Sequence, residues 1–176
     1  MATVISGSTG VNKIQDGTIV NDDINSSAAI AGTKLVMPSG SVLQVVSANR
    51  STHMDTNSSS YTDTGLNVSI TPSFTSSKIL IQVSIFVGCH NNSNAQAGVK
   101  LLRDSTGLLN FNRTMQRGGE DHGAIFSLSF LDSPSTTSSI NYKVQGANNT
   151  TSGYARFVRD MANTGTSTIT VMEIQG

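Results

Sequence analysis

With a single cysteine, Cys89, the chain has no intrachain disulfide to build, so a compartment cannot be read from its cysteine usage and a free buried thiol is the expectation. Charge is scarce as well. Only 12% of the 176 residues are Asp, Glu, Lys or Arg, and the formal net charge is zero. Such a surface offers no electrostatic footprint for nucleic acid, an anionic membrane or an acidic substrate. There is no tryptophan, and proline occurs three times. No apolar run approaches the length of a membrane span, and Met1 to Gly10 lacks the basic start and apolar block of a secretory signal. A soluble chain made in the cytosol, without membrane insertion, is expected.

In place of charge stand Ser, Thr and Asn, roughly a third of the chain against a typical share nearer a fifth. Asn-x-Ser/Thr triplets such as Asn67-Val68-Ser69 follow from that composition and imply no glycosylation without a secretory route. The hydrophobic 36% is spread in short periodic runs, which excludes simple disorder. The plainest run is Lys78 to Gly88. Ile79, Ile81, Val83, Ile85 and Val87 are all β-branched at every second position, while Gln82 and Ser84 interrupt the other face. This predicts a strand on the order of 35 Å long whose branched side faces a core.

Around it lie further runs with period two: Val42 to Ser47, Leu66 to Thr71, Ala97 to Asp104, Leu108 to Arg113, Gly123 to Leu131, Ser139 to Gln145, Tyr154 to Arg159 and Thr166 to Ile174. Leu66, Val68 and Ile70 alternate with Asn67 and Ser69; Ile140, Tyr142 and Val144 alternate with Asn141, Lys143 and Gln145. Phe126, Leu128 and Phe130 are expected to supply most of the aromatic core. Polar loops separate the runs at Asp55 to Asp63, Asn91 to Asn94, Gly118 to His122, Asp132 to Ser138, Asn148 to Gly153 and Asn163 to Gly165. The fold class expected is all-β: an antiparallel β-sandwich, with a jelly roll its commonest form at this strand number. No fixed internal period marks a β-helix or propeller.

Residues 1–38 differ from the head at 39–176. They hold no aromatic residue, and their apolar positions Ile14, Ile19, Ile24, Ile30 and Leu35 recur about every five to six residues. That spacing fits neither a helix face nor a strand face, so these side chains call for partner surface, as in an arm wound among copies. A short helical turn fits Ser26 to Ala31 ahead of Gly32. Pro38-Ser39-Gly40 closes the arm as a turn.

Catalytic and metal chemistry finds little to work with. His53, His90 and His122 fall on separate loops or strand ends without the spacing of a metal pair. Cys89 and His90 are adjacent in a strand and point to opposite faces, a poor geometry for a thiol and its base. Asp55 to Ser59 begins like a calcium loop, but Ser60 stands where Gly is needed and Leu66 where the bidentate Glu belongs. Gly118 to His122 gathers Glu120, Asp121 and His122 beside Arg113 and Arg117; a solvated hairpin loop is expected, and any function there would be contact with a ligand rather than acid–base work. No catalytic residue, metal or cofactor is expected. If hairpin order puts these loops at the same end of the sandwich, Asn91, Asn92, Asn94, Arg117, Glu120, Asp121 and His122 form one exposed tip able to hydrogen-bond sugar hydroxyls, with an ordinary solvated loop end as the alternative.

The segment Ile14 to Leu35, with its Asp16-Gly17-Thr18-Ile19, Asp23-Ile24 and Ala28-Ala29-Ile30-Ala31 followed by Lys34-Leu35, resembles a motif of bacteriophage tail-fibre and fibre-like virion proteins, especially from phages of marine bacteria and cyanobacteria. Pro72 to Ile81 and Ser167 to Ile174 look like the centre and last strand of the globular heads such proteins carry, similar in shape to trimeric jelly rolls of the tumour-necrosis-factor and complement-C1q type. The resemblance implies a non-enzymatic homotrimer in the virion, assembled in the host cytoplasm. Its arm would dock to other virion proteins of tail or capsid, and its head would meet a host surface glycan or protein. A capsid or tail decoration protein is the alternative role. A glycan depolymerase would need paired carboxylates on a β-helical groove, which the sequence lacks.

Overall fold

The computed structural model describes residues 37–91, 94–116, 121–150, 152–162 and 164–176. The calls on the arm, on its short helical turn and on Asn92, Arg117 and Glu120 lie outside these residues. Among the described residues there is no helix. The ten strands are β1 (Val42–Arg50), β2 (Met54–Thr56), β3 (Thr62–Ile70), β4 (Lys78–His90), β5 (Gln96–Arg103), β6 (Thr106–Gln116), β7 (His122–Asp132), β8 (Ile140–Asn148), β9 (Tyr154–Val158) and β10 (Ser167–Ile174). Ahead of β1 the Pro38 carbonyl accepts the Ser41 N–H at 3.1 Å, and Gly40 supplies the left-handed φ of 88° that this turn requires.

The branched run is the axis of the first sheet. One edge of β4 pairs with β7 along nearly its whole length, from Ile79 opposite Asp132 to Cys89 opposite His122. Its other edge is shared: Lys78 to Ser84 pair with β10, and Phe86 to His90 pair with β9. Beyond β10 lies β1, and beyond β9 lies the short β2, all antiparallel. The second sheet runs β3-β8-β5-β6, again antiparallel throughout. The two sheets face each other across one core. Ile79, Ile81, Val83, Ile85, Val87 and Cys89 of β4 meet Leu66, Val68 and Ile70 of β3, Val99 and Leu101 of β5, and Tyr142 and Val144 of β8, all buried.

Two expectations need correction. The predicted loop from Asp55 to Asp63 contains most of β2 and the start of β3; three residues carry too little periodicity to show as a strand. The aromatic core belongs to Tyr142 and Phe157, which are fully buried, whereas Phe126, Leu128 and Phe130 are only partly covered. The reason is position. β7 is the last strand of its sheet, so its inward side chains lie at the open side of the sandwich, where Phe126 meets Phe111 of β6 edge-to-face at 5.2 Å.

Candidate functional site

Pairing with period two divides the first sheet into an inward and an outward face, and the outward face is patterned row by row. Register lines up Val45, Met172, Leu80 and Leu131 across β1, β10, β4 and β7. Val45 and Leu131 in this apolar row are 56% and 52% exposed. The next two rows are polar: Ser47, Thr170, Gln82 and Ser129, then Asn49, Thr168, Ser84 and Ser127. Gln82, Ser84, Ser127, Ser129, Thr168 and Thr170 of these rows line a shallow trough of about 530 Å³. Past it Ile125 is 60% exposed, while Phe86 opposite it and Val158 beyond are buried. Phe86 lies flat across Gly123, where an added Cβ would come within 2.1 Å of its ring.

The β4–β9–β2 end of this sheet carries an ion-paired cluster. Arg156 of β9 donates Nε and Nη2 to the two carboxylate oxygens of Asp55 on β2, both at 2.7 Å. Burial pushes the Asp55 carboxyl up, but the Arg156 hydrogen bond and charge, with His90 and His53 behind them, hold it below the usual value. The same carboxylate raises Arg156. His90 of β4 stacks on Tyr154 of β9 with ring centroids 5.4 Å apart.

Of the sequence-predicted tip residues, Asn91 and Asp121 are brought together: the Asn91 N–H donates to Asp121 Oδ1 at 3.3 Å. His122 opens β7 opposite Cys89, one residue from His90. Asn94 lies apart from that contact, its carbonyl accepting the Thr150 hydroxyl at 2.8 Å. Cys89 points into the core and His90 to the outer face, as their adjacency required. Among the described residues no group of three or more His, Cys, Asp or Glu is placed to hold a metal ion.

Two buried carboxylates escaped the sequence reading. Glu173 sits at an inward position of β10 and is fully buried, with no cation paired to it among the described residues. It accepts hydrogen bonds from Gln44 Nε2, the Ser73 N–H and hydroxyl, and the Ser77 hydroxyl, at 2.6 to 3.1 Å. Burial raises its pKa, and these donors more than offset the rise, leaving it below the ordinary value. The signal was legible: Glu173 falls in phase with Ile169 and Val171, on the core side of its own alternation. Asp132 ends β7 and accepts Arg103 Nη1 of β5 at 2.7 Å and the Tyr142 hydroxyl of β8, also at 2.7 Å, tying the two sheets together. Burial, then the neighbouring Asp132 carboxylate, pushes the Tyr142 phenol far above its ordinary value.

No family model matches the sequence, and neither does any curated protein. Solved structures with a partial likeness include infectious bursal virus derived T=1 particles, at a TM-score of 0.43 and 11% identity over 85% of this chain. Derived T=1 particles of a mutant VP2 protein of infectious bursal disease virus give 0.33 and 13% over 83%. The Gx strain of that virus gives 0.33 and 11% over 84%. The alignments cover 40%, 40% and 46% of those chains, so this chain spans less than half their length. Likenesses of that size decide neither fold nor role.

Proposed function

We propose that this chain is a non-enzymatic structural protein of a bacteriophage particle: a short homotrimeric fibre whose arm, through Ile14, Ile19, Ile24, Ile30 and Leu35, docks to other virion proteins and whose head contacts the host surface. The observation that carries the trimer is the apolar row Val45, Met172, Leu80 and Leu131 on the outward face of the first sheet, beside the free edge of β7. β7 is eleven residues long, with one acidic residue, Asp132, and no Lys or Arg, and its second edge meets no other strand among the described residues. A bare edge of that kind invites pairing with another chain, and natural proteins cover it. Closed cyclic symmetry covers it without leaving an open end.

The strand orders β1-β10-β4-β7 and β3-β8-β5-β6 support a jelly-roll reading of the head, since the chain crosses between the sheets at β2–β3, β3–β4, β4–β5, β6–β7, β7–β8 and β8–β9, as two Greek keys do. The resemblance of Ile14 to Leu35 to fibre-like virion proteins supports placing it in the virion. The meeting of Asn91 and Asp121 supports a polar tip for receptor contact.

Deletion of the protein from the particle separates the roles. The fibre role predicts intact, heat-resistant particles that adsorb poorly to host cells. Particles that adsorb normally but break on heating would overturn it in favour of a decoration protein.

A further inference from the structure

Four side chains from three strands meet on the outward face of the first sheet at its β2 edge. Register sets His90 opposite Tyr154, and Arg156 opposite both Gly88 and Asp55. The His90 and Tyr154 rings stack within 19° of parallel, and Tyr154 is 39% exposed, so the stack presents an aromatic ring to solvent. Beside it the Asp55–Arg156 fork is already locked by two hydrogen bonds. His90 Nε2 is buried, stands 3.5 Å from Asp55 Oδ2 and makes no hydrogen bond among the described residues. A buried ring nitrogen without a partner is uncommon and marks a place where a polar partner is accommodated.

We infer that this corner is a binding site for a neutral pyranose. The inference rests on the host-contact reading above and names the ligand class of that surface. A sugar ring has an apolar face of C–H groups, which an aromatic plane can cover, and vicinal hydroxyls at its rim, which need fixed donors and acceptors close together. Asp55 keeps lone pairs beyond those Arg156 occupies, and Arg156 keeps N–H donors beyond those Asp55 occupies. Because the fork is held before any ligand arrives, little side-chain freedom is lost on binding. Charge selects against acidic sugars. The Arg156 guanidinium feels the carboxylates of Asp55, Asp121 and Asp160, and Asp160 in turn feels Arg159. An anionic sugar would meet those carboxylates; a neutral one brings no charge to oppose them.

Saturation-transfer NMR on the full chain tests this with methyl glucoside, galactoside and mannoside, and with glucuronate as the acidic comparison. Saturation should pass to the ring protons of at least one neutral pyranoside, and less to glucuronate. Tyr154→Ala and Asp55→Asn should each weaken binding about tenfold, and Tyr154→Phe, which keeps the stack, by no more than about threefold. Circular dichroism checks that each variant is folded; should Tyr154→Ala fail to fold, the Asp55→Asn and Tyr154→Phe pair still decides. Absence of binding by every neutral pyranoside, or binding that the folded variants leave unchanged, would overturn the inference. Staining of host cells with the labelled chain separates this from the wider reading. Sugar binding at Tyr154 without cell staining keeps the site and removes the receptor role. Cell staining that Tyr154→Ala and Asp55→Asn do not reduce keeps the receptor role and removes the site.

Discussion

At the scale of single residues, the head is held by charges placed where an apolar side chain would be expected. Glu173 is the clearest case, since a carboxylate buried without a cation survives only because several donors converge on it. Those donors fasten the Ser73–Ser77 turn between β3 and β4 to the last strand. Glu173→Gln keeps the shape but presents an amide N–H₂ to groups that themselves donate, and is expected to cost roughly 2 kcal/mol in urea unfolding at neutral pH. The sign with pH follows from the lowered pKa. A carboxyl depressed on folding contributes its stability in full above its unfolded value, and that contribution is lost as pH falls through the lower folded value. The gap between wild type and variant should therefore be constant above about pH 5.5 and narrow below about pH 4. A gap that widens in acid would contradict this assignment.

Among the elements, β9 and β10 are two parts of one line. Both run antiparallel along the same edge of β4, and the chain leaves that edge after Val158 and returns at Ser167. Ser167 closes the gap: its hydroxyl accepts the Phe86 N–H at 3.0 Å and donates to the Val158 carbonyl. Val158 sits at a φ of 81°, a costly conformation for a β-branched residue, which the surrounding contacts must hold. Ser167→Ala leaves a buried N–H and a buried carbonyl without this partner. A loss of about 2 kcal/mol is expected, with amide exchange at Phe86 accelerated well beyond that at Ile81. Equal protection at both amides in the variant would show that Ser167 does not close the junction.

The long strands were legible because alternation of apolar and polar residues is a local property, and nine stretches carried it; β2, three residues long, did not. Which strand lies at an edge depends on pairing between distant segments. For that reason Phe126 and Phe130 were expected deep in the core and lie instead at its open side. The corner formed by Asp55, His90, Tyr154 and Arg156 was illegible for the same reason: its members are up to 101 residues apart in the chain and meet only through strand register.

For the molecule as a whole, a neutral chain rich in Ser, Thr and Asn builds two antiparallel sheets around a core centred on β4, and leaves one apolar row uncovered on its outward face. We propose that a copy of the same chain covers that row. Leu131→Asp places a charge in the row at an exposed position, where it costs the isolated head little but would be buried in the contact between copies. Light scattering of the full chain at micromolar concentration is the most direct measurement. It should give three times the 18.4 kDa chain mass for the wild type and a shift towards the single-chain mass for folded Leu131→Asp, whereas a wild-type chain that stays at 18.4 kDa would contradict the account.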